Sequence, residues 1–312
     1  MNSGKKKLIV ILGPTASGKS ELGVKLALRL SSGQAQKRFG IKGVEIISAD
    51  SRQVYKRMDI GTGKITKKEM QDIPHHLLDV VPPQKRFDVV QYRKMTLEAI
   101  GKIQNRNKIP FLVGGTGFYI QSVVNGIVIP EVKPDWKLRK ELGGRPISEL
   151  YKMLSKLDPV RSSTIDKNNP RRLIRALEIV LNSKRPIPPL SSKKADFEAL
   201  FMGIKRGKEE LKKLIEKRLL KRLSGGMVEE VGKLKKSGLS WKRLEEFGLE
   251  YRYIAQYLQK KISYQKMVEK IQKESEKFTK RQITWFKRDK RIKWIKDYFE
   301  AKKLLEDFLK NN

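Results

Sequence analysis

Apolar residues along this chain follow two rhythms. Short unbroken runs rich in β-branched residues occur at KLIVIL (7–12), VEIIS (44–48) and IPFLV (109–113). Runs of this length, bounded by glycine, proline or polar residues, read as strands buried on both faces. Elsewhere the apolar positions recur every three or four residues. The pattern predicts a helix from Ser20 to Leu30 and further helices over 146–156 and 169–183. From Lys208 onward the chain reads as helical and basic. Leu211, Leu214, Ile215 and Leu219 form one stripe, and Met267, Ile271, Phe278 and Trp285 form another.

Buried strands alternating with helices imply a parallel sheet with helices on its faces, and such sheets bind ligands at the carboxyl ends of their strands. Residues 31–43, SSGQAQKRFGIKG, are polar and glycine-rich and predict an exposed loop. Prolines crowd the stretch after Gly126, from Pro130 through Pro189, with helical pattern between them. The expected organisation is therefore an α/β core formed by residues 1–125 and 200–312, with a helical C-terminal part, interrupted by a small helical insertion domain over 126–199. No internal repeat stands out.

Composition narrows the functional classes. The 312 residues contain no cysteine, which excludes disulfides, thiol catalysis and cysteine-bound zinc and fits a reducing cytoplasm. No run approaches 18 apolar residues, and Gly13 and Pro14 cut short the run at Leu8–Leu12, so the expectation is a soluble protein with no membrane partner. Lys+Arg total 70 against 34 Asp+Glu, a formal charge of +36. That excess attracts polyanions, nucleic acid first among them, unless it is only a lysine-rich composition.

Three segments at predicted strand ends carry candidate chemistry. Gly13-Pro14-Thr15-Ala16-Ser17-Gly18-Lys19-Ser20 fits G-x-x-x-x-G-K-[ST] between a strand and a helix, the context in which backbone N–H groups cradle phosphates. Lys19 would neutralise a phosphate and the Ser20 hydroxyl would hold Mg²⁺. The motif specifies a phosphate chain, not a nucleotide. Asp50, in ADSRQ, is either a base or metal partner facing that loop, or a helix N-cap. Thr116, in GGTG, is either a donor to a phosphate oxygen or part of a structural turn. His75 and His76 lack the companions of a metal site and read as packing or hydrogen-bonding residues.

Taken together, GPTASGKS (13–20), ADSRQVYKRMDIGTGK (49–64), PHHLLD (74–79), VGGTGFYIQSVVNG (113–126), NNPRRLIRALEI (168–179) and RQITWF (281–286) resemble the tRNA dimethylallyltransferase family in order and spacing over nearly the whole chain. The lack of cysteine excludes a zinc-finger extension and points to the bacterial type.

The resemblance implies a P-loop NTPase-like core that binds the pyrophosphate of dimethylallyl pyrophosphate, not ATP, through residues 13–20, with Mg²⁺ at Ser20. It implies Asp50 as the base for the adenine N6 amine, Thr116 near the donor's bridging oxygen, and Arg218 on the pyrophosphate. It further implies tRNA contacts from Asp50, Ser51, Arg52, Gln53 and Thr116 around the flipped base. Arg139, Arg171, Arg172 and Arg175 would grip the anticodon stem-loop, and Arg252, in FGLEYR, would lie along the RNA. The product would be N6-isopentenyladenosine at position 37 of tRNAs reading codons that begin with U, formed by a monomer. Trp285 and Phe286 are expected to pack in the core, with Arg281 or Gln282 within reach of RNA. A P-loop kinase would need an ATP pocket but not the GGTGFYI segment. A non-catalytic RNA-binding protein would not need Asp50.

Overall fold

The structure, a computed structural model, describes residues 6–127, 132–188 and 197–310. They form two compact units, one from residues 1–124 and 195–312, the other from residues 125–194.

The first unit is built on a parallel sheet. Its strands are β1 (Lys6–Leu12), β2 (Val44–Ala49), β3 (His75–His76), β4 (Ile109–Gly114), β5 (Phe197–Ile204) and β6 (Lys293–Ile295), in the order β3-β2-β4-β1-β5-β6. Every pairing is parallel. The sequence of β1 explains its central place. Leu8, Val10 and Leu12 enter one apolar layer and Ile9 and Ile11 the other, so a two-residue period with no polar phase is buried on both sides.

Helix α1 (Lys19–Leu30) packs Val24, Ala27 and Leu30 on the Ile9–Ile11 face. It is followed by α2 (Gly33–Phe39), where the sequence reading expected a loop. Ser32 caps α2 by accepting from the Ala35 amide, and Gly40 ends it in the left-handed conformation. A short capped turn, α3 (Lys67–Met70), precedes β3. Helix α4 (Val89–Asn105) starts at a capping box of Asp88 and Gln91, and with α5 (Gly117–Val124) it covers the opposite face through Tyr92, Ile103, Tyr119 and Val123.

The second unit contains α6 (Trp136–Gly143), α7 (Ile147–Leu157), α8 (Pro159–Thr164) and α9 (Pro170–Ser183). Its own core is Leu142, Leu150, Leu154, Leu173 and Leu177. Asn169 caps α9 and Pro170 occupies its first turn.

Back in the first unit run α10 (Lys208–Ser224), α11 (Met227–Lys236), α12 (Trp241–Glu246), α13 (Leu249–Leu258), α14 (Tyr264–Phe286) and α15 (Tyr298–Lys310). Helices α10, α11, α13 and α14 enclose a third apolar cluster with Val54, Tyr55 and Met58, which ties the segment after β2 to the helical part. No helix among the described residues is long and apolar enough to cross a membrane.

Candidate active site

The register brings three loops side by side. Gly114 ends β4 opposite both Leu12 of β1 and Ala49 of β2. Three chain segments therefore leave the sheet at one level, carrying Gly13–Ser20, Asp50–Gln53 and Gly115–Gly117.

The first segment turns into α1 through two left-handed residues, Ala16 (φ 61°) and Gly18 (φ 90°). Gly18 at the cap position offers no side chain to the first turn, so those N–H groups and the helix dipole face outward to an anion. The Ser17 hydroxyl is buried with no hydrogen-bond partner. Ser20 is exposed at the start of the helix. Lys19 reaches back so that its Nζ donates to the Pro14 carbonyl at 3.2 Å.

Asp50 follows β2 and does two things at once. Its Oδ1 accepts from the Arg52 amide at 2.8 Å and the Gln53 amide at 3.3 Å, a capping turn that fixes the carboxylate. Thr116 is bound to the same segment. Its amide donates to the Ala49 carbonyl at 3.0 Å, and its Oγ1 accepts from the Ser51 amide at 3.1 Å. With that lone pair engaged, the Thr116 O–H is left to donate.

A cluster of cations from α10 faces the phosphate loop. A cavity of about 20 Å³ is lined by Thr15, Ala16, Arg218, Arg222 and Glu250. Arg222 donates to the Gly61 carbonyl at 3.3 Å and pairs with Glu250 at 3.1 Å. Burial first, then Arg218, depresses the Lys19 ammonium to about 8, with Asp50 opposing and Arg222 adding a smaller push. Burial and then Arg222 lower Arg218 to about 10, against Glu250 and Asp50. Burial is the largest cause in both, and an anion entering beside them would favour their charged forms. A much larger groove of about 1010 Å³ opens beside Pro14 between α10 and α14, with Ile204, Leu211 and Ile283 inside and Lys208, Lys277 and Lys280 on its rim.

Gln282 of α14 closes the arrangement. Its Oε1 accepts from the Thr15 amide at 2.8 Å, and its Nε2 donates to the Gly115 carbonyl at 2.8 Å. The expectation that Gln282 reaches toward RNA does not match this buried position, whereas Arg281 is exposed. Phe286 is in the core and Trp285 packs beside it. The sequence names Gln282 only as a residue within reach of RNA and does not name Arg222. Arg222 lies one helical turn beyond Arg218, a spacing that places both on one face.

The other expected RNA-facing residues are distributed as follows. Gln53 is internally engaged, its Oε1 accepting from the Ser48 hydroxyl and its Nε2 donating to the Gly63 carbonyl. Arg52 lies 5.9 Å from the centre of the Phe247 ring. Arg252 is half-buried and donates to the Glu245 carbonyl. Within the second unit, Arg139 and Arg175 both bind Glu178, whose side chain is fully buried. Arg171 and Arg172 are exposed. His76 bonds Glu45 at 2.7 Å and His75 bonds the Ile73 carbonyl.

A family model described as IPP transferase matches residues 53–289. The chain is 42% identical to tRNA dimethylallyltransferase 1 of Syntrophus aciditrophicus, covering 98% of each chain. It is 39% identical to tRNA dimethylallyltransferase 2 of Shewanella sediminis, over 96% of this chain and 98% of that one. Among solved structures, the full-length tRNA isopentenylpyrophosphate transferase of Bacillus halodurans aligns with a TM-score of 0.71 at 30% identity, over 98% of this chain and 97% of that one. A eukaryotic dimethylallyltransferase described as acting on tRNA aligns with a TM-score of 0.79 at 25% identity, over 98% of this chain and 80% of the other.

Proposed function

The chain belongs to the IPP transferase family, and from that membership we propose that it transfers a dimethylallyl group from dimethylallyl pyrophosphate to N6 of an adenosine in tRNA. In this reading the acceptor is adenosine 37 of tRNAs that read codons beginning with U, and the protein works in the cytoplasm as a monomer. The observation that carries the reading is the juxtaposition of a phosphate loop with Asp50 and Thr116 at the carboxyl ends of three adjacent strands. A phosphate loop alone serves many reactions. One that adjoins a fixed carboxylate and a free hydroxyl suits displacement of pyrophosphate by a weak nitrogen nucleophile.

The adenine N6 lone pair is delocalised into the ring, so the amine needs help. As N6 bonds to the allylic carbon, the carbon–oxygen bond to pyrophosphate breaks and the leaving group takes the electron pair. The N6 proton passes to Asp50. General-base help of this kind contributes roughly 10²–10⁴-fold. Charge gathering on the leaving pyrophosphate meets the loop amides nearest α1, Lys19, Arg218 and the Thr116 hydroxyl. Donors fixed in advance are the larger share of such catalysis. The capping turn at Asp50 already fixes the carboxylate before substrate arrives.

The residues also fit Mg²⁺. The exposed Ser20 hydroxyl stands at the start of α1, beside the loop that would hold the phosphates. That donor set suits a hard cation held chiefly by substrate phosphates and water. When bound at Ser20, Mg²⁺ would offset pyrophosphate charge.

In the second unit, Arg171 and Arg172 would meet RNA phosphates directly. Arg139 and Arg175 would do so through the N–H groups that Glu178 leaves over. Arg52, Gln53 and Arg252 would lie along the RNA near the flipped base, whose extrusion costs a few kcal/mol.

The test is direct. The purified protein is mixed with Mg²⁺, dimethylallyl pyrophosphate and an unmodified anticodon stem-loop, and the RNA is weighed by mass spectrometry. A gain of one C5H8 unit on a single adenosine is the expected result. Hydrolysis or transfer of ATP phosphate with no such gain would replace this reading with a kinase.

A further inference from the structure

We propose that Gln282 is a positioning residue for group transfer, a side-chain clamp that sets the spacing between the loop holding the leaving pyrophosphate and the loop carrying Thr116. This rests on the reading given under Proposed function.

The geometry is specific. Gln282 is 7% exposed, and both ends of its amide are used, each on backbone. Its Oε1 holds the amide of Thr15 inside the phosphate loop, 267 residues away in sequence. Its Nε2 holds the carbonyl of Gly115, immediately before Thr116. A carboxamide offers an acceptor and a donor side by side without charge at neutral pH. A carboxylate could not donate, and a lysine could not accept.

β1 and β4 pair up to Leu12 and Gly114, where the ladder ends. The two bonds of Gln282 span the gap just past the end of the ladder. Gly115 is fitted to this contact, because a Cβ there would lie 2.5 Å from Gln282 Nε2.

The clamp also decides which amides bind phosphate. The Thr15 N–H is consumed by Gln282, so the anion is left to the amides nearer α1. A loop pinned at Thr15 cannot slide toward its ligand. The pyrophosphate is then held at a fixed distance from Asp50 and Thr116, which are themselves bonded together through Ser51. Misplacement of reacting groups by about 1 Å costs on the order of 10²-fold in rate. Gln282 need not touch a reacting atom to have that effect.

The test compares Gln282→Met, which keeps the bulk and removes both bonds, with Gln282→Glu. Three quantities are read in wild type and both variants: kcat and KM for stem-loop and donor, hydrogen exchange of the phosphate-loop amides, and the pH profile. For Gln282→Met, exchange at Thr15 should speed up. The kcat, corrected for folded fraction by thermal melting, should fall roughly 10²-fold, while the KM for RNA holds.

Gln282→Glu should be impaired at neutral pH, where two oxygens face each other at the Gly115 carbonyl. Its activity relative to wild type should climb as pH falls toward the carboxylate range, about 4.3, because the protonated acid can again donate and accept. A merely structural role would give a flat ratio.

Unchanged exchange at Thr15 in Gln282→Met would remove the clamp. Faster exchange with wild-type kcat would remove the positioning role. If wild type itself transfers no C5 unit, the proposed function fails separately. The clamp is then decided by calorimetry with inorganic pyrophosphate, whose affinity must weaken in Gln282→Met for the proposal to survive.

Discussion

At the scale of single residues, Asp50 holds its own loop by one oxygen and is proposed to take a proton, and two substitutions separate those tasks. Asp50→Asn keeps an acceptor for the Arg52 and Gln53 amides and removes the base. Its kcat should fall by roughly 10²–10⁴-fold with stem-loop affinity unchanged in a filter-binding assay. Loss of RNA affinity in that variant would mean that the carboxylate binds rather than reacts. Lys19 gives a pH prediction. Its ammonium is depressed to about 8, so raising pH through that value discharges it in the free protein. Pyrophosphate affinity should therefore decline above about pH 8. Binding near that pH should take up protons, because the bound anion restores the charged form. Calorimetry in two buffers of different ionisation heat reads the uptake directly, and equal apparent enthalpies would exclude it.

At the scale of elements, the site depends on how loops and helices are held, and here the two arginine pairs behave differently. Arg175 spends its guanidinium on the buried Glu178 and on the Val132 carbonyl. Arg175→Ala should therefore lower the stability of the second unit by about 2 kcal/mol, the scale of hydrogen bonds to charged groups. Arg171→Ala with Arg172→Ala should leave the melting temperature alone and weaken RNA binding. The loop at Gly63 offers a parallel case. Its φ is 57°, and a Cβ there would lie 1.6 Å from Arg222. Gly63→Ala should displace that guanidinium and raise the KM for the donor, measured at saturating RNA.

These contrasts also show what the sequence could disclose. β1, β2 and β4 were legible because burial on both faces leaves no polar residue in the run. β3 and β6, two and three residues long, are too short to carry a period. α2 reads as a loop because its glycines outweigh the Ser32 cap and the Gly40 stop that bound it. On α14 the apolar stripe named Phe278 and Trp285, whereas the buried line after Ile271 runs through Ser275, Thr279 and Gln282. A count of apolar types cannot register a seam whose residues are polar because they face loops of the site. For the same reason the glycine loop, Asp50 and Thr116 show their place in the site on the sequence, whereas Gln282, within RQITWF, reads as a surface residue.

At the scale of the whole molecule, the question is what a formal charge of +36 does that Lys19, Arg218 and Arg222 cannot. Those three gather beside the phosphate loop, where the proposed function gives them one small anion. The remaining excess is spread over exposed surface, including the lysine rim of the large groove beside Pro14, where it acts through the range of the Debye length, about 8 Å at physiological salt. Stem-loop binding driven by that surface releases counterions, with log affinity falling linearly in log salt by about 0.7–0.9 per phosphate neutralised. Six contacts would lower affinity by roughly 10³-fold between 50 and 200 mM salt. Donor binding should respond far less, because it involves few charges, and Lys19, Thr116 and Arg218 are half-buried and less screened. Titrating both ligands at several salt concentrations gives two slopes. A steep RNA slope beside a shallow pyrophosphate slope assigns the surface charge to RNA. Equal slopes would mean that the excess lysine is composition without a task, and that RNA is held by the few contacts around Asp50 and Thr116 alone.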